Sequence, residues 1–154
     1  NVKNGKGQLE TEGHYADFVL QLECISHLDR LNSGVFFRCI PGAEMMGYES
    51  QIQNGMQDDD PTAPEDCGTG GIFRRQDARR IVAQDKHWFH KTIIASDDHI
   101  AVWVNGYQVT DWTDTRKANE NPRRGLRTDA GSIMIQGHDP TTDLSFRNLR
   151  ISEL

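Results

Sequence analysis

The most constraining stretch of this chain is His99 to Trp112, HIAVWVNGYQVTDW. Two runs rich in β-branched and aromatic residues flank Asn105-Gly106, the pair favoured in two-residue type I′ turns because both central residues need positive φ. A tight antiparallel hairpin is therefore expected here. The rest of the chain repeats the theme. Short runs of period-2 alternation recur between Gly-, Pro-, Asn- and Asp-rich breaks, and no segment holds a 3.6-residue period over a helical length. The class is all-β, and a two-sheet sandwich suits it best.

A chain of 154 residues fits one domain. A hydrophobic content of 36%, 14 glycines and a mean hydropathy of −0.68 favour a thin layered fold with many turns. No apolar run approaches the length of a membrane helix, so no membrane partner is expected. The formal charge of −6 and pI near 5.4 argue against a nucleic-acid partner, which needs a basic surface. Arg74, Arg75, Arg79 and Arg80, and Arg123, Arg124 and Arg127, are local exceptions set among acids and amides, read as solvated faces or ion pairs.

In order, residues 1–13 hold turn signals and a short strand, and Tyr15 to Ser26 is a strand with Phe18, Leu20, Leu22 and Cys24 facing the core. Ser33 to Asn54 reads as two strands joined by Pro41-Gly42. Residues 55–71 form a loop with acids Asp58, Asp59, Asp60, Glu65 and Asp66. Their spacing fits no EF-hand, so solvated charge is favoured over Ca²⁺, and no cofactor is predicted. Ile72-Phe73 and Ala78 to Ala83 look like short strands and Trp88 to Ala95 a longer one. A second long loop, residues 111–130, precedes closing strands at Gly131 to Gly137 and Asp143 to Ile151.

Parity across the Ser33–Asn54 pair puts Arg38, Glu49 and Gln51 on one sheet face, with Glu23 as a candidate fourth member. A guanidinium, a carboxylate and an amide on a rigid sheet can floor a polar binding site; they also make an ordinary solvated face with a cross-strand ion pair, the simpler reading of the residues alone. Cys24 is expected to be a buried thiol, while Cys39 and Cys67 are expected to form a disulfide that pins the acidic loop, placing the protein outside the cytoplasm. No Gly-rich phosphate loop, CxxC pair, HExxH or GxSxG elbow is present, and the six histidines are dispersed.

The ordered motifs NSGVFFR, MGYESQIQN, VWVNGYQVTDW, IQGHD and FRNLRISEL, together with DCGTGGIFRRQ and GHDPTTDLSFRN, resemble the 3-keto-disaccharide hydrolase domain family of bacteria from about Gln8 to Leu154. The resemblance implies a concanavalin A-like jelly-roll sandwich, often exported to the periplasm or beyond, that acts on sugars oxidised at C3. Members of that family usually begin with a further segment, so a sheet edge near Asn1 is expected to be covered by a second copy, a neighbouring domain or residues preceding this stretch.

A ketone at C3 acidifies the C2 proton, so a base can remove it and the C1 substituent can leave by β-elimination. Such chemistry needs a base, a cation or donor at the C3 oxygen, and an acid for the leaving group. The assignment expected is His138 as base, Arg38 as the stabiliser of enediolate charge and Glu49 as acid or orienting group. Gln51, Glu23, Gln136 and Asp139 would bind hydroxyls, and Trp103 would stack on a sugar ring, although Trp103 and Trp112 equally suit a core. His138 has a plainer alternative, closing its turn by bonding Asp139 or Asp143. An ordinary glycosidase would need a carboxylate pair, for which Glu23 and Glu49 are available. Two readings without chemistry stand beside the enzyme: a carbohydrate-binding module, and a structural or assembly domain.

Overall fold

The computed structural model describes residues 1–154. Ten strands follow one another: β1 (Val2–Lys3), β2 (Gly7–Glu10), β3 (Phe18–Ser26), β4 (Ser33–Cys39), β5 (Tyr48–Ile52), β6 (Phe89–Ser96), β7 (His99–Val104), β8 (Tyr107–Thr113), β9 (Ser132–Gly137) and β10 (Asp143–Glu153). They form two antiparallel sheets, one ordered β1-β10-β3-β6-β7-β8 and the other β2-β9-β4-β5. This is the jelly-roll sandwich. The expected hairpin is present, with Asn105 at φ 50° and Gly106 at φ 84° between β7 and β8.

The core lies between the sheets. Phe18, Leu20, Leu22 and Cys24 from β3 and Phe89, Ile93 and Ala95 from β6 meet Val35, Phe37, Tyr48 and Ile52 from the smaller sheet. Phe37 stands edge-on to Phe18 at 5.8 Å and stacks on Tyr48 at 5.5 Å, coupling the layers at their centre. One member of the inward set on β6 is Lys91, fully buried where the parity demands an apolar residue. Its Nζ crosses the sandwich and donates to the carbonyls of Ser50 (2.8 Å) and Gln51 (2.7 Å).

Two segments expected to be strands are not. Ile72 makes only isolated bridges, with Ser50 and Gln76, and residues 78–83 are irregular. Their amides find partners outside any ladder: Ala78 on Cys67 O, Arg79 on Val109 O and Ile81 on Pro61 O. Residues 70–73 line β5, whose outer edge is closed by Gln51 N to Gly71 O, Gly70 N to Gln51 O and Phe73 N to Glu49 O. At the other side, β1 and β2 are the outermost strands of the two sheets, so the Asn1 end does lie at sheet edges.

The expected disulfide is absent: Cys24, Cys39 and Cys67 are all buried free thiols. Cys39 packs with Phe36, Met134 and Met45 on the outer side of the smaller sheet, its sulfur against Gly47. Cys67 belongs to the loop that folds back on Gly71 and Ala78. Burial pushes each thiol up to about 12, so none is a ready nucleophile at neutral pH.

Candidate functional site: the outer face of the smaller sheet

The register of β2, β9, β4 and β5 brings side chains from four strands into rows on the outer face. Glu10 pairs with Met134, Met134 with Phe36, and Phe36 with Glu49. In the next row Gln8 pairs with Gln136, Gly34 pairs with Gln51, and extending the β4–β9 register sets Gly34 beside Gln136. Two glutamines thus flank a strand glycine. A Cβ on Gly34 would meet Glu49 Oε1 at 2.6 Å, so the Glu49 carboxyl lies across the gap that the missing side chain leaves.

This face is walled in by loops. Gln51 Nε2 donates to Asp66 Oδ2 (2.9 Å) and to Asn32 Oδ1 (3.1 Å), and Asn32 Nδ2 donates to the same Asp66 oxygen (3.0 Å). Arg123, from the second long loop, reaches Glu49 Oε2 with Nη2 at 3.3 Å while donating to Met45 O and lying 5.2 Å from the Phe36 ring. Met45 holds the β4–β5 turn over the sheet, its amide donating to Gln8 Oε1 and its sulfur accepting from Gln136 Nε2. The second long loop is tied to the core by Tyr48, whose hydroxyl donates to Asp114 and accepts from Arg127 N.

The electrostatics of the face follow from burial. Glu49 is 6% exposed, and desolvation pushes its carboxyl up to about 7 against the opposing pull of Arg123, Lys91 and His138; Asp66 adds to the rise. Beneath it, burial lowers Lys91 to about 7, while the Cys24 and Cys67 thiols and Glu49 act the other way. The amide oxygens Gln51 Oε1 and Gln136 Oε1 are buried with no protein donor. Buried acceptors are rarely left without a partner. Here the unpartnered pair shares one face with a carboxyl able to take or give a proton near neutrality. No group of three or more His, Cys, Asp or Glu residues is arranged to hold a metal ion.

Of the residues expected in the site, Glu49, Gln51 and Gln136 share this face. His138 follows Gln136 at the end of β9, where its Nδ1 contacts Asp139 Oδ2 at 2.9 Å, the turn-closing bond expected as the plainer alternative. Its side chain is half-exposed, and its charge is among those that act on Glu49. Asp139 spends its carboxylate on Thr141 N, Thr141 Oγ1 and His138, and these bonds lower it to about 2.

Arg38 does not belong to the face. An extra residue in β4 between Phe36 and Cys39 breaks the register with β9, and Arg38, at φ 49°, turns inward there. Its guanidinium is fully buried, donating to Ala16 O, Asp97 O and Arg127 O and pairing with Asp17 at 2.8 Å. It ties three connections together at one end of the sandwich. Glu23 is also elsewhere: it lies on the outer side of the larger sheet, held by Arg147 and Asn148. That removes it as a partner for Glu49 in a carboxylate pair. Trp103 likewise faces outward from β7 of the larger sheet, since Val102 and Val104 take the core positions.

Arg123, Asp66 and Asn32 escaped the sequence reading because they come from aperiodic segments. Gly34 and Lys91 carried signals that were there to be read, a glycine inside a strand and a lysine at core parity.

The fold and face together define a β-sandwich of the lectin and glucanase type with a polar, partly unsatisfied site on one sheet. The chain belongs to the 3-keto-alpha-glucoside-1,2-lyase-like domain family, whose profile matches residues 1–152. Among solved structures it is similar to two glycosyl-hydrolase candidates from Parabacteroides distasonis ATCC 8503. One has a TM-score of 0.76 at 17% identity, over 99% of this chain and 78% of that one; the other has 0.74 at 24%, over 97% and 84%. The carbohydrate-binding module CBM66 from Bacillus subtilis follows, with a TM-score of 0.66 at 13% identity over 97% and 84%. At these identities the likenesses establish the fold. No curated protein matches the sequence.

Proposed function

We propose that the outer face of the smaller sheet binds a sugar oxidised at C3 and cleaves its glycosidic bond by elimination, with Glu49 as the base. The observation that carries this reading is the buried, unpartnered pair Gln51 Oε1 and Gln136 Oε1 beside a carboxyl raised to about 7. Amide oxygens without donors suit hydroxyl groups. A carboxyl that titrates near neutrality suits proton transfer at carbon. Membership of the family supplies the substrate class.

In the proposed sequence the Glu49 carboxylate takes the C2 proton, and the electron pair of that C–H bond moves toward the C3 carbonyl to give an enediolate. As the C1–O bond breaks, C1=C2 forms and C3=O is restored, while the leaving oxygen takes a proton. Arg123, 3.3 Å from Glu49, is the cation suited to the enediolate oxygen, in place of Arg38. His138, with Nδ1 occupied by Asp139 and no protein hydrogen bond at Nε2, is suited to protonate the leaving group. The roles of Glu49 and His138 are therefore exchanged relative to the sequence expectation, because burial raises the Glu49 carboxyl to about 7 and makes it a stronger base than a solvated glutamate.

A binding module without chemistry is the second reading, favoured by the likeness to CBM66 and by the same two amide oxygens. Incubation with matched native and 3-keto disaccharides separates the two. Release of the C1 substituent from the 3-keto sugar alone, lost in Glu49→Gln, is the result expected of the enzyme; binding of either sugar with no release is that of the module.

A further inference from the structure

Beside Glu49 the two basic loops meet. Arg75 Nη2 donates to Arg123 O at 2.7 Å, and the guanidiniums of Arg74 and Arg123 lie 5.1 and 5.6 Å from the same Phe73 ring. Glu49, Phe73, Arg75, Pro122 and Arg123 line one crevice of about 10 Å³, so an anion would sit at its mouth, against the exposed Arg75 side chain, and not inside it. Segments 73–77 and 114–129 carry seven of the chain's 17 cations against four of its 23 acidic residues, +3 in a chain of −6. One acid, Glu49, faces Arg123 within the cleft at 3.3 Å. Asp114 is spent on Arg116 and Tyr48, and Asp129 on Arg127, whereas no carboxylate lies within ion-pair distance of Arg74, Arg75 or Arg124. Arg75 bonds only the backbone carbonyls of Arg74 and Arg123, and burial together with the nearby charges of Arg116 and Arg123 lowers its pKa.

Crowded guanidiniums with spare donors call for an anion with several oxygens. We infer that the Arg75–Arg123 cleft is a subsite for an oxyanion substituent, a sulfate or a carboxylate, on the sugar or aglycone that occupies the Glu49 face. This rests on the proposed assignment of that face as a sugar site. The cleft abuts Glu49, so a ligand spanning both would place its neutral hydroxyls over Gln51 and Gln136 and its charged group on the arginines. Arg75 and Arg124 act here in binding and have no part in the proposed proton transfers.

The test is an amide NMR titration of the whole chain with inorganic sulfate, glucose 6-sulfate, glucuronate and glucose, repeated on Arg75→Gln and Arg124→Gln. The two charged sugars are expected to shift resonances of residues 73–75 and 123–124, glucose to leave them unmoved, and Arg75→Gln to weaken the charged sugars at least tenfold. A stronger response to glucose 6-sulfate assigns the substituent as sulfate, and one to glucuronate as carboxylate. Shifts scattered over all surface arginines, shifts with inorganic sulfate alone, or affinities unchanged in both variants would overturn the inference. The measurement needs no turnover. Localised binding without cleavage of any 3-keto sugar would therefore uphold the subsite while removing the catalytic reading.

Discussion

Gly34 lies directly beneath Glu49: a single methyl group on its Cα would stand 2.6 Å from Oε1 and 2.8 Å from Cγ of that side chain. The glycine is thus what lets the carboxyl fold over β4 toward Gln51 and Gln136. Gly34→Ala must displace Glu49, and because it adds only a methyl and suits a strand backbone, the cost to stability is expected to be about 1–2 kcal/mol. Turnover or sugar affinity is expected to fall at least tenfold. Carboxyl-carbon NMR of Glu49 against pH should show its titration moved from about 7 toward the ordinary range. An unmoved Glu49 titration would count against the geometry.

Glu49 also couples stability to pH. Its folded pKa, about 7, lies above its ordinary 4.5, so between these values the folded state holds a proton that the unfolded state has lost, and stability declines as pH rises from 4.5 to 7. Lys91 works oppositely. With its folded pKa lowered to about 7 from 10.5, the unfolded state binds the extra proton above pH 7, and stability recovers toward pH 10.5. Glu49→Gln should remove the acid limb and be the more stable protein at pH 7–8, by an amount on the order of 3 kcal/mol at most. Denaturant melts of both proteins at pH 5, 7 and 8 check this; parallel profiles would contradict it.

Arg38 is expected to behave as a structural residue. Removing it strands Asp17 and three backbone carbonyls that now receive its donors, so Arg38→Ala should cost about 3 kcal/mol or more. At temperatures where the variant stays folded, sugar affinity should match the parent. A large loss of affinity with an unchanged melting temperature would return Arg38 to the site.

The cysteines predict a simple count. Unfolded in denaturant without reductant, the protein should expose three reactive thiols, and its melting temperature should not respond to reductant. One thiol in place of three would establish the Cys39–Cys67 bridge after all.

The fold was legible because its signals are local. Asn105-Gly106 specifies its turn by backbone sterics, and the alternation of Phe18 to Cys24 and of Tyr48 to Ile52 survives in β3 and β5. The site was legible in part for the same reason: Glu49 and Gln51 keep their parity because β5 is regular. Arg38 was misplaced by one inserted residue in β4, which reverses parity and which an arginine at positive φ does not announce. Glu23 was misassigned because alternation fixes a face within a strand but does not say which sheet the strand joins. Arg123 and Asp66 reach the face from loops without periodicity, and only the folded chain brings them to Glu49 and Gln51.

The most direct test of the account follows the C2 proton. In D₂O, a 3-keto-glucoside incubated with the protein and monitored by proton NMR should lose its C2–H signal and release the C1 substituent, both rates rising through pH 7 as Glu49 ionises. Glu49→Gln should slow both by at least a hundredfold while keeping the fold and the affinity for the sugar. C2–H loss and release at the parent rate in Glu49→Gln would contradict the central claim.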